Sequence, residues 1–355
     1  NKRYFLNQES AAIAQGDSSS QTLIEMAIPE EAVWACTACG ACIDICPVGN
    51  EPMMDILEIR RGLVLMENKF PAPLQTTFRG LERNGNPWNI PPDKRMDWAE
   101  GLDIPLASEC DHVELLWWVG CAPATDARAQ KTAQAFARLL QKAGVAFAVL
   151  GPEEMCTGDA ARRSGHEYIS YELALQNVET LHRVNPDRIV TTCPHCLHTI
   201  KNEYPAYGGT YTVLHHTELL RELMASGRLK FRQQSQPSHL TYHDPCYLGR
   251  INGIYDAPRN LLKAAGTRIS DPVHTGARSF CCGAGGAQMW KEEEAGETRV
   301  SAARLKELQQ TGADTLAVSC PFCLTMFEDE AGTSGSNVKV RDIAEILLEK
   351  LRPDS

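Results

Sequence analysis

Four cysteines crowd into twelve residues: Cys36, Cys39, Cys42 and Cys46 stand in CTACGACIDICP. Cys-x2-Cys-x2-Cys-x3-Cys-Pro is a spacing at which thiolates wrap a cuboidal iron–sulfur cluster. Gly40 permits the tight turns between ligands, and Pro47 ends the wrap. Zinc sites usually pair two Cys-x-x-Cys knuckles across a longer gap, so iron–sulfur is the expected occupant. Cys46 has two readings. It closes the cluster of its own run, or it serves a second cluster whose other ligands precede Asn1. In the second case a distant ligand such as Cys110 is conceivable.

Nine further cysteines form a repeat. Cys121, Cys156 and the pair Cys193/Cys196 recur as Cys246, Cys281/Cys282 and the pair Cys320/Cys323. The gaps are 35, 37 and 3 positions in copy one, and 36 (to Cys282), 38 and 3 in copy two. Flanking words repeat as well: CTGDAAR parallels CCGAGGAQ, and TTCPHCLHTI parallels SCPFCLTMF. Matched internal order over a period near 125 residues means two copies of one domain. Copy two offers five thiolates and copy one four, because Met155 stands where Cys281 would be. Adjacent cysteines strain an ordinary cubane, so five ligands imply an opened, non-cubane arrangement. Four fit a cubane 4Fe–4S cluster, with zinc as the alternative in copy one. A thioether is a poor substitute for thiolate, so Met155 is not an expected ligand. A cysteine introduced at position 155 is expected to make copy one resemble copy two. Cys110 is left over, read as a small buried apolar residue.

These cysteines need elements that place them. ELLWWVGC reads as an apolar strand ending at Cys121, followed by a helix over 126–143 and a strand over 145–150. RIVTTCPHC and TLAVSCPFC each run from a buried strand into a helix started by proline, and YTVLHHTELLRELM and VKVRDIAEILLEKL each give strand then helix. Sulfurs thus gather at strand C-termini and helix N-termini, where N–H groups and the positive end of the dipole favour thiolate. The expected fold class is α/β. Residues 1–105 form a helical, cluster-binding segment with a linker over 84–92, and 106–234 and 235–355 form the two repeats. Trp117 and Trp118 alternate faces of a strand and belong to the core.

The 355 residues carry 35 basic and 45 acidic side chains, a net charge of −10, and no basic stripe, which argues against nucleic acid. The longest apolar stretch, 113–119, is far shorter than the roughly 20 residues that cross a bilayer. No export signal precedes the cysteines, so thiolate chemistry is preferred to a disulfide framework. The chain opens on Asn1 rather than Met, and truncation there is expected.

The first run resembles the bacterial ferredoxin motif, and the repeats resemble the paired CCG domains of heterodisulfide reductase and its relatives. Those relatives include the iron–sulfur subunits of glycolate oxidase, anaerobic glycerol-3-phosphate dehydrogenase and lactate-utilisation systems. WACTACGACIDICPVG, LERNGNPWNI, CTGDAAR, YHDPCYLGRINGIYDAPR and FCCGAGGAQMW resemble the membrane-associated branch, which includes electron-transfer flavoprotein:menaquinone oxidoreductases. The resemblance implies one cluster on Cys121, Cys156, Cys193 and Cys196, and a non-cubane 4Fe–4S cluster on Cys246, Cys281, Cys282, Cys320 and Cys323. It implies a flavoprotein donor, a membrane or quinone-reactive part upstream or on another subunit, and a place on the cytoplasmic face of the membrane. This chain departs from the branch in showing one ferredoxin run and no transmembrane helices. The leading expectation is an electron relay from flavoprotein toward quinone, with the five-thiolate site as terminal station. A heterodisulfide-cleaving subunit, the iron–sulfur subunit of a glycolate, lactate or glycerol-3-phosphate dehydrogenase, and a zinc-stapled scaffold are the alternatives.

The remaining candidates have bland readings beside them. His195, His198, His215 and His216 either tune a cluster or are satisfied surface and supporting groups. His243 and Asp244 are candidates for orienting the loop that carries Cys246. The glycines of GAGG lack a phosphate-loop spacing and suit a close backbone approach to a cluster. Residues 292–294 read as a solvated helix face. No catalytic triad or carboxylate pair is evident.

Overall fold

The computed structural model describes residue 24 and residues 28–232 and 237–352. The start of the expected first unit and the expected boundary at 234/235 lie outside the described residues.

A helical segment comes first: α1 (Glu30–Ala35), α2 (Ala41–Asp44), α3 (Pro52–Glu67) and α4 (Leu74–Asn84). Helix α3 starts on Pro52 at its first turn and stops where Asn68 turns left-handed; α4 stops at Gly85 in the same way. The expected linker over 84–92 is not a loose tether. Asn86, fully buried, donates to Asn84 O (2.9 Å) and Ile90 O (2.6 Å) and accepts from Ile90 N, pinning the turn beneath α4.

Copy one contains β1 (Leu115–Trp118), α5 (Cys121–Thr125), α6 (Ala127–Lys142), β2 (Ala148–Val149), α7 (Asp159–Arg163), α8 (Glu167–Val184), β3 (Arg188–Thr191), α9 (Pro194–His198), β4 (Val213–His215) and α10 (His216–Ala225). Copy two contains β5 (Ser238–Tyr242), α11 (Asp256–Ala264), β6 (Thr267–Ile269), α12 (Val300–Gln309), β7 (Thr315–Val318), α13 (Pro321–Ser334), β8 (Lys339–Asp342) and α14 (Ile343–Lys350). Each half is a four-stranded parallel sheet, ordered β2-β1-β3-β4 and β6-β5-β7-β8. The central strands are buried on both faces, as parallel strands under helices must be. Strand β2 is shorter than the expected 145–150; it pairs with β1, and on its other side Val149 bridges Leu106 and donates to Pro105 O (3.0 Å). Asp126 caps α6 by accepting from Arg128 N and Ala129 N.

The halves share their interior. Trp117 packs with Trp98, Phe136 and Phe147 on one side of the first sheet, in a cluster that continues into Tyr242, Leu261, Ile343 and Leu347 of copy two. Trp118 lies in the other layer with Ile189, Leu316 and Phe327. Both tryptophans are core, as expected. Arg128 ties α6 to copy two through Glu328 (2.6 Å), Glu345 (2.8 Å) and Val340 O (2.8 Å). Residues 292–294 are not helical: Lys291 turns back onto Glu294 (2.7 Å) and draws the segment into a loop.

Candidate thiolate centres

In both sheets the chain reverses its direction of growth between the central strands, and such a reversal leaves a crevice at their C-terminal ends. Cys121 follows β1 and Cys193 follows β3; Cys246 follows β5 and Cys320 follows β7. Cys193 and Cys320 are the N-caps of α9 and α13, with Pro194 and Pro321 at the first helical position. All fourteen cysteines are free thiols, so no disulfide framework forms.

In copy one Cys121, Cys156, Cys193 and Cys196 are buried and mutually close. Supports come from several directions. Glu154 accepts from Val119 N and Gly120 N (2.8 Å each) and pairs with buried Arg95, which holds the turn before Cys121. Asn177 donates to Cys156 O (2.9 Å) and to Tyr204, whose hydroxyl donates to Thr157 O (3.1 Å). Met155 packs on Gly85, where a Cβ would fall 2.8 Å from its Cγ, and lines a cavity other than that of the four thiols.

In copy two Cys282 and Cys323 bring their sulfurs to 3.3 Å, Gly283 N donates to Cys281 Sγ (3.3 Å), and Cys246 is in hydrogen-bond reach of Cys281. Asp244 anchors this loop through a two-pronged pair with Arg259 and by accepting from Gly276 N (2.8 Å). Its role in orientation was legible in the sequence; those of Arg95, Glu154 and Arg259 were not.

The first run lies on copy two. Cys36, Cys39 and Cys42 cluster, and Cys39 reaches Cys281. Cys46 instead accepts from Asn50 N (3.1 Å), and Cys110 donates to Leu106 O (3.4 Å), apart from this run. Arg60, fully buried, gathers the carbonyls of Val33, Trp34, Cys36, Arg163 and Gly286. A charged residue inside the apolar pattern of α3 was its only sequence signal. The glycines of GAGG do serve a close backbone approach, but to the first run itself. A Cβ on Gly285 would fall 2.3 Å from Thr37 O, and one on Gly286 2.2 Å from Cys36 O.

The two repeat sets also touch. Cys193 is in hydrogen-bond reach of Cys320, and His195 reaches both. The His195 ring stacks on Tyr247 (centroids 4.1 Å apart) and meets Phe322 edge-on (5.5 Å), so aromatic side chains line this junction. His198 has the bland role, held by Asn202 (3.0 Å) and Glu203 (3.5 Å). His215 and His216 form a buried pair ending on Asp342 (3.3 Å). In space the sets therefore run first run, copy two, copy one. Copy two is central in this row, because its CCGAGG loop receives the first run.

The thiols fit a multivalent cationic group. Burial pushes Cys193 up, but donation from Cys196, Cys320 and His195 outweighs it and draws Cys193 well below the thiol range. Donation from Cys281 and Cys323 likewise lowers Cys282, while burial pushes Cys320 up to about 11. Each repeat set thus favours thiolate at some of its sulfurs and the protonated thiol at others; added positive charge lets all ionise together. His195 Nδ1 and His243 Nε2 are buried without hydrogen-bond partners beside these sulfurs, as fits donors to sulfide or thiolate.

Paired parallel sheets with thiols converging at their C-terminal edges define a tandem cysteine-rich-domain protein. The family described as "Cysteine-rich domain" (CCG) matches residues 115–201 and 240–328. The EtfAB:quinone oxidoreductase of Syntrophomonas wolfei is 40% identical over 96% of this chain and 49% of its own length. A component of the dihydromethanophenazine:CoB-CoM heterodisulfide reductase of Methanosarcina barkeri is 31% identical over 90% of this chain and 78% of its own. The chain belongs to this CCG family of iron–sulfur oxidoreductase components. A probable iron-sulfur-binding oxidoreductase, FadF, of Bacillus subtilis is 40% identical over 97% of this chain and 50% of its own. The chain thus spans about half the length of two of these relatives. A hypothetical protein from Helicobacter pylori shares the fold alone, with TM-score 0.50 and 11% identity over 85% of this chain and 58% of its own. Among the described residues no helix is long and apolar enough to cross a membrane.

Proposed function

We propose that this chain is an electron relay on the path from an electron-transfer flavoprotein to a menaquinone pool, acting on the cytoplasmic side of the membrane with a quinone-reactive part elsewhere. The units are 1–105, ferredoxin-like, and the repeats 106–234 and 235–355. Cys36, Cys39, Cys42 and Cys46 would hold a cubane 4Fe–4S cluster, with Cys46 free to serve a second one upstream instead. Cys121, Cys156, Cys193 and Cys196 would hold a second cluster, and Cys246, Cys281, Cys282, Cys320 and Cys323 a non-cubane one. Such clusters supply one-electron chemistry over a wide span of potentials.

One observation carries the reading: the three thiol sets adjoin without a break, through Cys39 and Cys281 and then Cys320 and Cys193. The protein's part is to hold the sets in contact, exclude water from the repeats and offer N–H donors to sulfur. The likeness to a heterodisulfide reductase component favours a second reading, disulfide cleavage.

The test uses chain purified without oxygen. Reduced electron-transfer flavoprotein should bleach its visible absorption, and iron should come to about three clusters' worth, more if Cys46 serves another. A colourless, iron-free but folded protein overturns the proposal. Turnover of a heterodisulfide with an artificial donor selects the second reading.

A further inference from the structure

We propose that His243 is a fixed N–H donor to the sulfur of copy two's centre and not one of its ligands. The inference rests on the cluster reading above and deepens it. A ring nitrogen of His243 and the sulfurs of Cys282 and Cys323 lie within 4.8 Å of one another, all three residues buried. By distance alone this is a metal-binding triad.

The hydrogen bonding decides otherwise. Arg304 Nε donates to His243 Nδ1 at 3.3 Å. Arg304 is itself fully buried and clamped by Glu307 (2.7 Å) and His274 O (2.9 Å), so the donor cannot swing away. A guanidinium has no acceptor and keeps its protons, so Nδ1 must present its lone pair. The proton of the neutral ring is then on Nε2, the ring's other nitrogen, buried and without a partner. A ligand would need a bare Nε2, hence a proton on Nδ1 pointing at the Arg304 donor. Phe327, edge-on at 4.9 Å, braces the ring against rotation.

At the matching position copy one has no histidine: the residue three before Cys121 is Trp118, where His243 stands three before Cys246; its His195 comes from the Cys-Pro-x-Cys turn instead and lies between the two sets. The donor therefore distinguishes the repeats independently of the fifth thiolate. A donor to sulfur stabilises the more negative, reduced state and raises the potential.

The experiment is an anaerobic redox titration followed by electron paramagnetic resonance on the whole chain. His243→Leu should leave iron content unchanged and move the copy-two midpoint to more negative potential, with the other signals in place. His243→Gln, whose amide can accept from Arg304 and donate to sulfur, should restore most of the shift; it also carries the test if the leucine variant misfolds. Iron loss from copy two in both variants, or the strong nitrogen coupling of a bound imidazole in the wild type, makes His243 a ligand and overturns the proposal. So do unshifted midpoints in both variants. An iron-free wild type sinks the cluster reading instead.

Discussion

Beside the copy-one set, Glu203 lies between Arg163 (2.6 Å) and Arg162 (3.2 Å), with His198 at 3.5 Å. Burial alone would raise this carboxyl, but His198 and the two guanidiniums outweigh it and hold it well below the usual carboxylate range. Its stabilisation is therefore complete above the ordinary glutamate value of about 4.3. It is lost only as pH falls through the depressed folded value. The unfolding free energy from denaturant curves taken from pH 7 downward should be lower in Glu203→Gln by about 3 kcal/mol at neutral pH. That gap should close only in strong acid. Met155 makes a second point about a single side chain. From the sequence a cysteine there would make the copies alike, yet the Met155 side chain packs on Gly85 and lines a cavity other than the one the four thiols line. Met155→Cys is now expected to leave the resonance spectrum of copy one unchanged. The type of residue at 155 was legible; its direction was not.

Among the elements, strands and helices followed apolar periodicity closely because each half buries a parallel sheet under amphipathic helices. Helix α6, expected over 126–143, spans Ala127–Lys142. The failures were loops. Residues 84–92 carried the glycine, proline and asparagine of a linker, but Asn86 satisfies its own turn in the interior, which local composition does not reveal. Residues 292–294 follow the same rule, through Lys291. The CCGAGG loop is where one element receives another, and Gly286 is its tightest point, at φ +63° with Cys36 O where a Cβ would be. Gly286→Ala should lower stability by about 2 kcal/mol or more, combining left-handed strain with the clash. Urea unfolding would measure it. The change should also loosen the first run before either repeat, seen as faster exchange of its amides.

The arrangement of all three centres yields a prediction of its own. If the order is first run, copy two, copy one, reduced copy two should broaden the resonance signals of both neighbours. The first run and copy one should not broaden each other. Direct broadening between those two would contradict the row. The sequence alone determined which cysteines belong together, because ligand spacing and an internal repeat are one-dimensional facts, and it determined the strand-to-helix junctions on which they sit. It also pointed to the α/β repeat, since burial on both faces leaves continuous apolar runs. Only the tertiary structure decided that copy two sits in the middle, that His195 bridges the repeats and that His243 offers a proton rather than a lone pair. Those outcomes depend on contacts such as Arg304 to His243, 61 positions apart, and Gly286 to Arg60, 226 apart. Such contacts arise from packing of whole sheets and helices, which no local pattern encodes.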